Sequence, residues 1–208
     1  MRIIFYTSLT AFSLFISLQA QVPNGYYNTA ENKSDQALRS ALHNIIDDHI
    51  EFPYTSSSTD TWDILQESDA DPSNSNNVIL VYTRESVDGP QEYNGGSGWN
   101  REHVWAKSRG DFGIEIGEGT DVHNLRASNV QVNSTRTNYS FDNCTSNSCD
   151  QIYGNSYSST ALVFEPRDED KGDVARIIFY MDIRYEGDSG ELDLEMTENI
   201  LSISSKLP

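Results

Sequence analysis

The chain has 208 residues and a formal charge of -18, with 32 acidic against 14 basic side chains. That length suits one domain with a real core and leaves too little for two. The charge weighs against a partner that needs a broadly basic face, a polyanion above all, and suits an exported protein kept soluble by its acidic shell, where salt screens the repulsion.

The first twenty residues read as an export signal. Arg2 opens them, Ile3 to Leu18 is nearly free of strong polarity, and Leu18-Gln19-Ala20 ends in a small residue. Thr7, Ser8, Thr10 and Ser13 interrupt the stretch, which falls short of the roughly 20 apolar residues of a membrane span. The expectation is cleavage after Ala20, a domain over 21–208, no membrane segment afterwards, and a secreted or periplasmic monomer.

Lys33 to Ile50 carries apolar residues at helical spacing, with Ser34 or Asp35 placed to cap it; His43 and His49 are read as surface or helix-flank residues. Phe52 to Asn77 reads as loop with a short element around Trp62-Leu65, and Val78 to Tyr82 as a buried strand. Asp88 to Gly98 is punctuated like a loop, Val104-Trp105 looks like a strand end, and Gly110 to Gly119 connects. A second short strand over Val122 to Leu125 and a helix over Ser128 to Asn138 follow. Asn143 to Ser159 is a polar loop holding Cys144 and Cys149, which an oxidising compartment would close into a local disulfide. With no His or further Cys at ligand spacing, they do not suggest a zinc site. Asp173 to Tyr185 is the last predicted helix, and the mixture indicates an α+β domain.

Arg101-Glu102-His103-Val104-Trp105 sets two kinds of chemistry side by side. A carboxylate is a hard ligand for Mg²⁺ or Ca²⁺, and a neutral imidazole takes a proton from water near neutral pH. Neighbours on a strand point to opposite sides, so the pair serves both roles only where the strand bends or ends. A lone Glu-His pair is more often an ordinary surface pair. The segments Thr120 to Arg126 and Val132 to Asn138 add weight, because between Trp99 and Ser140 basic and acidic residues balance to zero. They read either as a hydrogen-bonded scaffold, with Asp121 and His123 orienting one another, or as a metal site completed by an Asn carbonyl with arginines around a phosphate.

Trp99 to Trp105, Asp121 to Arg126, Val132-Asn133-Ser134, Glu165 to Arg176 and Phe179-Tyr180-Met181 together resemble the endonuclease I family of secreted and periplasmic bacterial nucleases. The resemblance implies a ββα-metal (His-Me) finger core surrounded by helices within the α+β domain. It implies His103 as general base, Glu102 and Asn133 as metal ligands, and Asp121 to Leu125 as the finger's second strand. Asn133 is preferred to Asn138 because the family places the ligand directly after the Val. Arg101, Asp121, His123, Asn124 and Arg126 would support the site or touch substrate. Arg109 is the candidate phosphate-clamping arginine, with Lys107 and Arg126 behind it. The implied cofactor is Mg²⁺, with Ca²⁺ or Mn²⁺ as alternatives. The implied substrate is DNA, with RNA as a second, cut to 5′-phosphorylated products with little sequence preference. Ala106 stands where the family usually has Pro, and the C-terminal part is shorter than is usual there. The rival reading is a secreted acidic Ca²⁺-binding module without catalysis, resting on Asp168-Glu169-Asp170; no Asp-x-Asp-x-Asp-Gly loop supports it, and such runs are usually solvated.

Overall fold

The helix expected after Lys33 forms as α1 (Asp35–Ile46) and lies against the long C-terminal helix. In this computed structural model residues 22–145, 147–188 and 190–196 are described; the expected leader lies outside them. Both histidines depart from the surface reading. His43 is buried, with Nδ1 3.0 Å from the Ile183 carbonyl oxygen and Nε2 3.3 Å from Asp188. His49 accepts at Nδ1 from Arg184 Nε, at 3.1 Å. Partners some 140 residues away draw these side chains inward, which helix periodicity cannot reveal.

α2 (Thr61–Ser68) is longer than the element expected around Trp62. Asp60 starts it with a capping box, accepting from Trp62 N at 2.7 Å while Asp63 accepts from Asp60 N at 3.0 Å. β1 (Ala70–Asp71), β2 (Asn74–Ile79) and β3 (Ser86–Asp88) make an antiparallel sheet in that order. The predicted Val78–Tyr82 strand is thus divided. Val78 and Ile79 end β2, whereas Leu80 to Arg84 form a turn in which Tyr82 takes a φ of +68°. The polar start of β2, Asn74 to Asn77, carries no apolar alternation and reads as loop from sequence.

β4 (Trp99–His103), α3 (Lys107–Gly110), β5 (Leu125–Asn129) and α4 (Val130–Arg136) follow. β4 and β5 pair antiparallel from Trp99↔Asn129 to His103↔Leu125. The second strand therefore starts at Leu125 and not at Val122. Asp121 commits the intervening residues to a turn: its Oδ1 accepts from His123 N at 2.8 Å, and its carbonyl takes the N–H groups of Asn124 and Leu125. Asn124 then extends the ladder with its side chain, accepting from Trp105 N at 2.7 Å and donating to Trp105 O at 3.2 Å. Asn129 caps α4, accepting from Gln131 N and Val132 N.

β6 (Ser140–Phe141), β7 (Asp150–Ile152), β8 (Asn155–Ser158) and β9 (Val163–Glu165) form a sheet in the order β6-β9-β8-β7. The predicted polar loop thus contains a hairpin. Its two-residue turn, Tyr153-Gly154, has φ values of +49° and +82°, as a hairpin matched to strand twist requires. Cys144 and Cys149 are joined in a disulfide beside it. α5 (Asp168–Arg184) begins before Asp173, because Asp168, Glu169 and Asp170 occupy its first turn, where negative charge suits the helix dipole.

Three apolar clusters hold these parts together as one α+β domain. Tyr82, Val104, Val132 and Phe164 pack with Val174 and Ile177 of α5. Leu65, Val78 and Trp99 pack with Leu125 and Ala127. Trp105, Met181, Tyr185 and Leu194 form the third. β4 is consequently fixed on both faces, with α2 on the side of Trp99 and Arg101 and α4 on the side of Asn100 and Glu102.

Candidate active site

His103 closes β4, and its ring is flanked by Tyr54 (centroids 5.7 Å apart, stacked) and Phe112 (6.1 Å, tilted). Nε2 lies 2.8 Å from the Gly119 carbonyl oxygen, which can only accept. Nε2 therefore carries the proton and Nδ1 keeps the lone pair. Burial holds the imidazole pKa down to about 4, against the pull of the Gly119 bond and aided by the charges of Lys107, Arg101 and Arg136. At neutral pH the ring is an uncharged base.

Glu102 is 2 % exposed, and its Oε1 accepts from the Tyr82 hydroxyl at 2.9 Å. Burial raises its pKa, with Arg136 and the Tyr82 bond opposing. Arg136 is itself buried. It donates to the carbonyl oxygens of His103 (3.3 Å), Val104 (2.6 Å) and Thr137 (3.2 Å), stands over the Phe141 ring, and brings Nε to 3.5 Å from Glu102 Oε1. Asn133, one turn into α4, donates through Nδ2 to Asn100 Oδ1 at 3.1 Å and Arg101 O at 3.4 Å. That fixes the amide and leaves Oδ1 without a donor among the described residues.

Glu102, His103 and Asn133 line one cleft of about 590 Å³, with Tyr54, Lys107 and Thr137 on its walls. Adjacent residues share it because β4 ends there, so the alternation that separates neighbours no longer applies. Three cations line it, Arg101, Lys107 and Arg136, against the single carboxylate of Glu102, a local excess of positive charge in a chain of -18. Glu102 and Asn133 offer a carboxylate and an amide carbonyl, hard oxygen donors that fit a small divalent cation. Among the described residues no group of three or more His, Cys, Asp or Glu is arranged to hold a metal. The Asp168-Glu169-Asp170 run is engaged otherwise: Asp168 pairs with Lys171 at 2.7 Å, and Asp170 with Arg84 at 2.6 Å.

Of the remaining expected site residues, Arg101 also lines the cleft and the others lie outside it. The Arg101 guanidinium is sandwiched against Tyr54 and Trp62 and donates to Tyr54 O, Thr61 Oγ1 and Thr55 Oγ1, so it supports the ring that stacks on His103. Arg109 points into a neighbouring cleft, donating to Asn138 O at 2.8 Å and Ser140 Oγ at 3.1 Å. Arg126 faces a separate groove of about 480 Å³ and donates to Val122 O and Leu125 O. Asp121 is buried away from the cleft, accepting from His123 and from the Tyr180 and Tyr185 hydroxyls, both at 2.9 Å. His123 is half-exposed and stacks on Tyr180.

Residues 34–202 match the family described as Endonuclease I. The chain belongs to the Endonuclease I family. It is 52 % identical over 175 residues to an extracellular ribonuclease of Bacillus amyloliquefaciens and 50 % identical over 175 residues to an extracellular ribonuclease of Bacillus subtilis (strain 168). Those alignments cover 83 % of this chain but 57 % and 58 % of the two relatives, so it spans under two thirds of their length. No solved structure gives a significant match. In this Endonuclease I chain, sequence reasoning missed Tyr54, Tyr82 and Arg136, each of which touches the Glu102-His103 pair. Tyr82 and Tyr54 carry no signal of their own, being one hydroxyl in an apolar run and one ring in a polar loop. Arg136 had one: it lies three residues beyond Asn133, on the helix expected to face the site.

Proposed function

We propose that this chain is a secreted, divalent-metal-dependent nuclease that hydrolyses phosphodiester bonds in RNA and DNA, with His103 as general base and Glu102 and Asn133 holding Mg²⁺. Its support is one observation above all: the imidazole bound through Nε2 to Gly119 opens on the same cleft as Glu102 and Asn133. The names of the two Bacillus relatives favour RNA as a substrate beside the DNA implied by the resemblance. Among the described residues no helix is long and apolar enough to cross a membrane.

His103 Nδ1 takes the proton of the attacking water, the Gly119 carbonyl holding the ring in the correct tautomer throughout. Arg136, with Nε 3.5 Å from Oε1, favours the charged form of Glu102, and Tyr82 fixes which of its oxygens remains free for the ion. Asn133 presents its carbonyl oxygen because β4 occupies its amide nitrogen. A bound Mg²⁺ supplies Lewis-acid stabilisation of charge on the phosphate and the departing 3′ oxygen. Backbone contacts of this kind carry no base information, so cutting is expected to be indifferent to sequence, with 5′-phosphorylated ends.

The test is cleavage of plasmid DNA and of a structured RNA by the purified protein with Mg²⁺, with EDTA, and with His103→Ala. Activity should need the metal and fall at least about 100-fold in a folded His103→Ala variant. Undiminished cleavage by that variant would overturn the mechanism, and no metal-dependent cleavage by the parent protein would overturn the activity.

A further inference from the structure

We propose that Lys107 is the cation that holds the scissile phosphate, in the place the sequence pattern suggested for Arg109. The inference rests on the nuclease reading above and names the contact that reading leaves open.

A phosphate clamp must reach the reacting centre and must have N–H groups to give. Of the cations lining the cleft, two have committed most of theirs, each keeping only a buried Nε that no acceptor among the described residues reaches at hydrogen-bond distance. Arg101 donates to Tyr54 O, Thr61 and Thr55, and two aromatic rings enclose it. Arg136 donates to three carbonyl oxygens at the end of β4 and α4 and lies almost wholly buried. Releasing either guanidinium to a substrate would leave buried carbonyl oxygens unpaired, at roughly 1–3 kcal/mol for each such group. Arg109 fails on reach, since it lines the adjoining cleft, and it already spends Nε and Nη2 on Asn138 and Ser140.

Lys107 meets both requirements. It is exposed, lines the same cleft as Glu102, His103 and Asn133, and no acceptor reaches its ammonium among the described residues. It begins α3, four residues after His103. Ser108 stands beside it on the same wall, its hydroxyl oxygen accepting from Asn138 Nδ2 at 3.0 Å, so its own O–H is free to donate. An ammonium with three unused donors next to the base suits a tetrahedral oxyanion group whose orientation varies along a strand.

The decisive measurement is binding of a labelled single-stranded RNA by anisotropy in EDTA across a salt series, beside kcat/KM with Mg²⁺. Lys107→Met should reduce the slope of log affinity against log salt by about one phosphate contact. It should also lower kcat/KM by roughly 10–100-fold, with Lys107→Arg restoring most of both. The proposal is overturned if Lys107→Met keeps the parent slope and rate, if the loss appears instead in Arg109→Met, or if the parent protein shows no salt-dependent binding without metal. An active parent with an equally active Lys107→Met variant sinks only this inference; an inactive parent sinks the nuclease reading as well.

Discussion

Glu102 and Asp121 are carboxylates with the same 2 % exposure, each bonded by tyrosine hydroxyls, and they are built for opposite ends. Asp121 is saturated. The Tyr180 and Tyr185 hydroxyls, the His123 backbone N–H and the His123 ring Nδ1 all bond to it, and although burial works against the charge, the His123 bonds and the potential of His49 hold its pKa below the usual range. Glu102 receives one tyrosine hydroxyl and a guanidinium at 3.5 Å, and burial wins, lifting its pKa. A buried charge with every lone pair engaged suits a role in the fold; one left short suits the metal-ligand role proposed for Glu102. Asp121 closes the turn that directly follows Gly119, whose carbonyl sets the tautomer of His103.

Exchanging each carboxylate for its amide separates the two roles. Glu102→Gln should cost activity by roughly 100-fold or more, since a neutral amide is a far poorer ligand. Its stability should stay within about 1 kcal/mol of the parent, because a carboxyl whose folded pKa is raised is a net burden on the fold when ionised. Asp121→Asn should lose about 3 kcal/mol in urea denaturation at pH 7, as the amide NH₂ faces donors that need an acceptor. The pH dependence follows from the direction of the shift. A depressed folded pKa gives stability that is present above the ordinary carboxylate range and lost as pH falls through the folded value. Part of the parent's acid destabilisation below about pH 4 should therefore vanish in Asp121→Asn. Equal stability losses in the two variants would erase the distinction.

The sequence exposes Glu102 more readily than the device that readies it. The family resemblance singled out His103, Glu102 and Asn133, which the fold brings to one cleft, and the helices were legible because their apolar faces repeat. Strand limits were less so: β5 starts at Leu125 because of an Asp121 turn made by one side-chain acceptor, which leaves no periodicity. Tyr82 reaches Glu102 across 20 residues, and Tyr185 reaches Asp121 across 64, through a tertiary fold that no local window contains. Arg109 was misplaced for a related reason. Spacing sets distance along the chain, whereas the turn of α3 sends Lys107 to one cleft and Arg109 to the next.

The smallest effect concerns backbone strain, which also divides the two regions. Thr137, on the wall of the cleft, is held at φ +51° and ψ -115°, a conformation costly for a β-branched residue, and Tyr82 beneath Glu102 sits at φ +68°. Asp121 has no such conformation, nor do the tyrosines that bind it. Arg136 keeps Thr137 in place by donating to its carbonyl, and the Thr137 N–H bonds to Asn133 O, directly behind the amide that faces the cleft. Strain of roughly 1–3 kcal/mol is thereby stored one turn from a proposed ligand. Thr137→Gly should release it and, after about 0.5–1 kcal/mol of added chain entropy in the unfolded state, raise stability by about 1 kcal/mol. A gain in the urea midpoint together with a several-fold loss of cleavage would show the strain to be spent on holding Asn133 and the cleft wall. A gain with unchanged cleavage would confine it to the turn, and a loss of stability would mean that Thr137 is not strained at all.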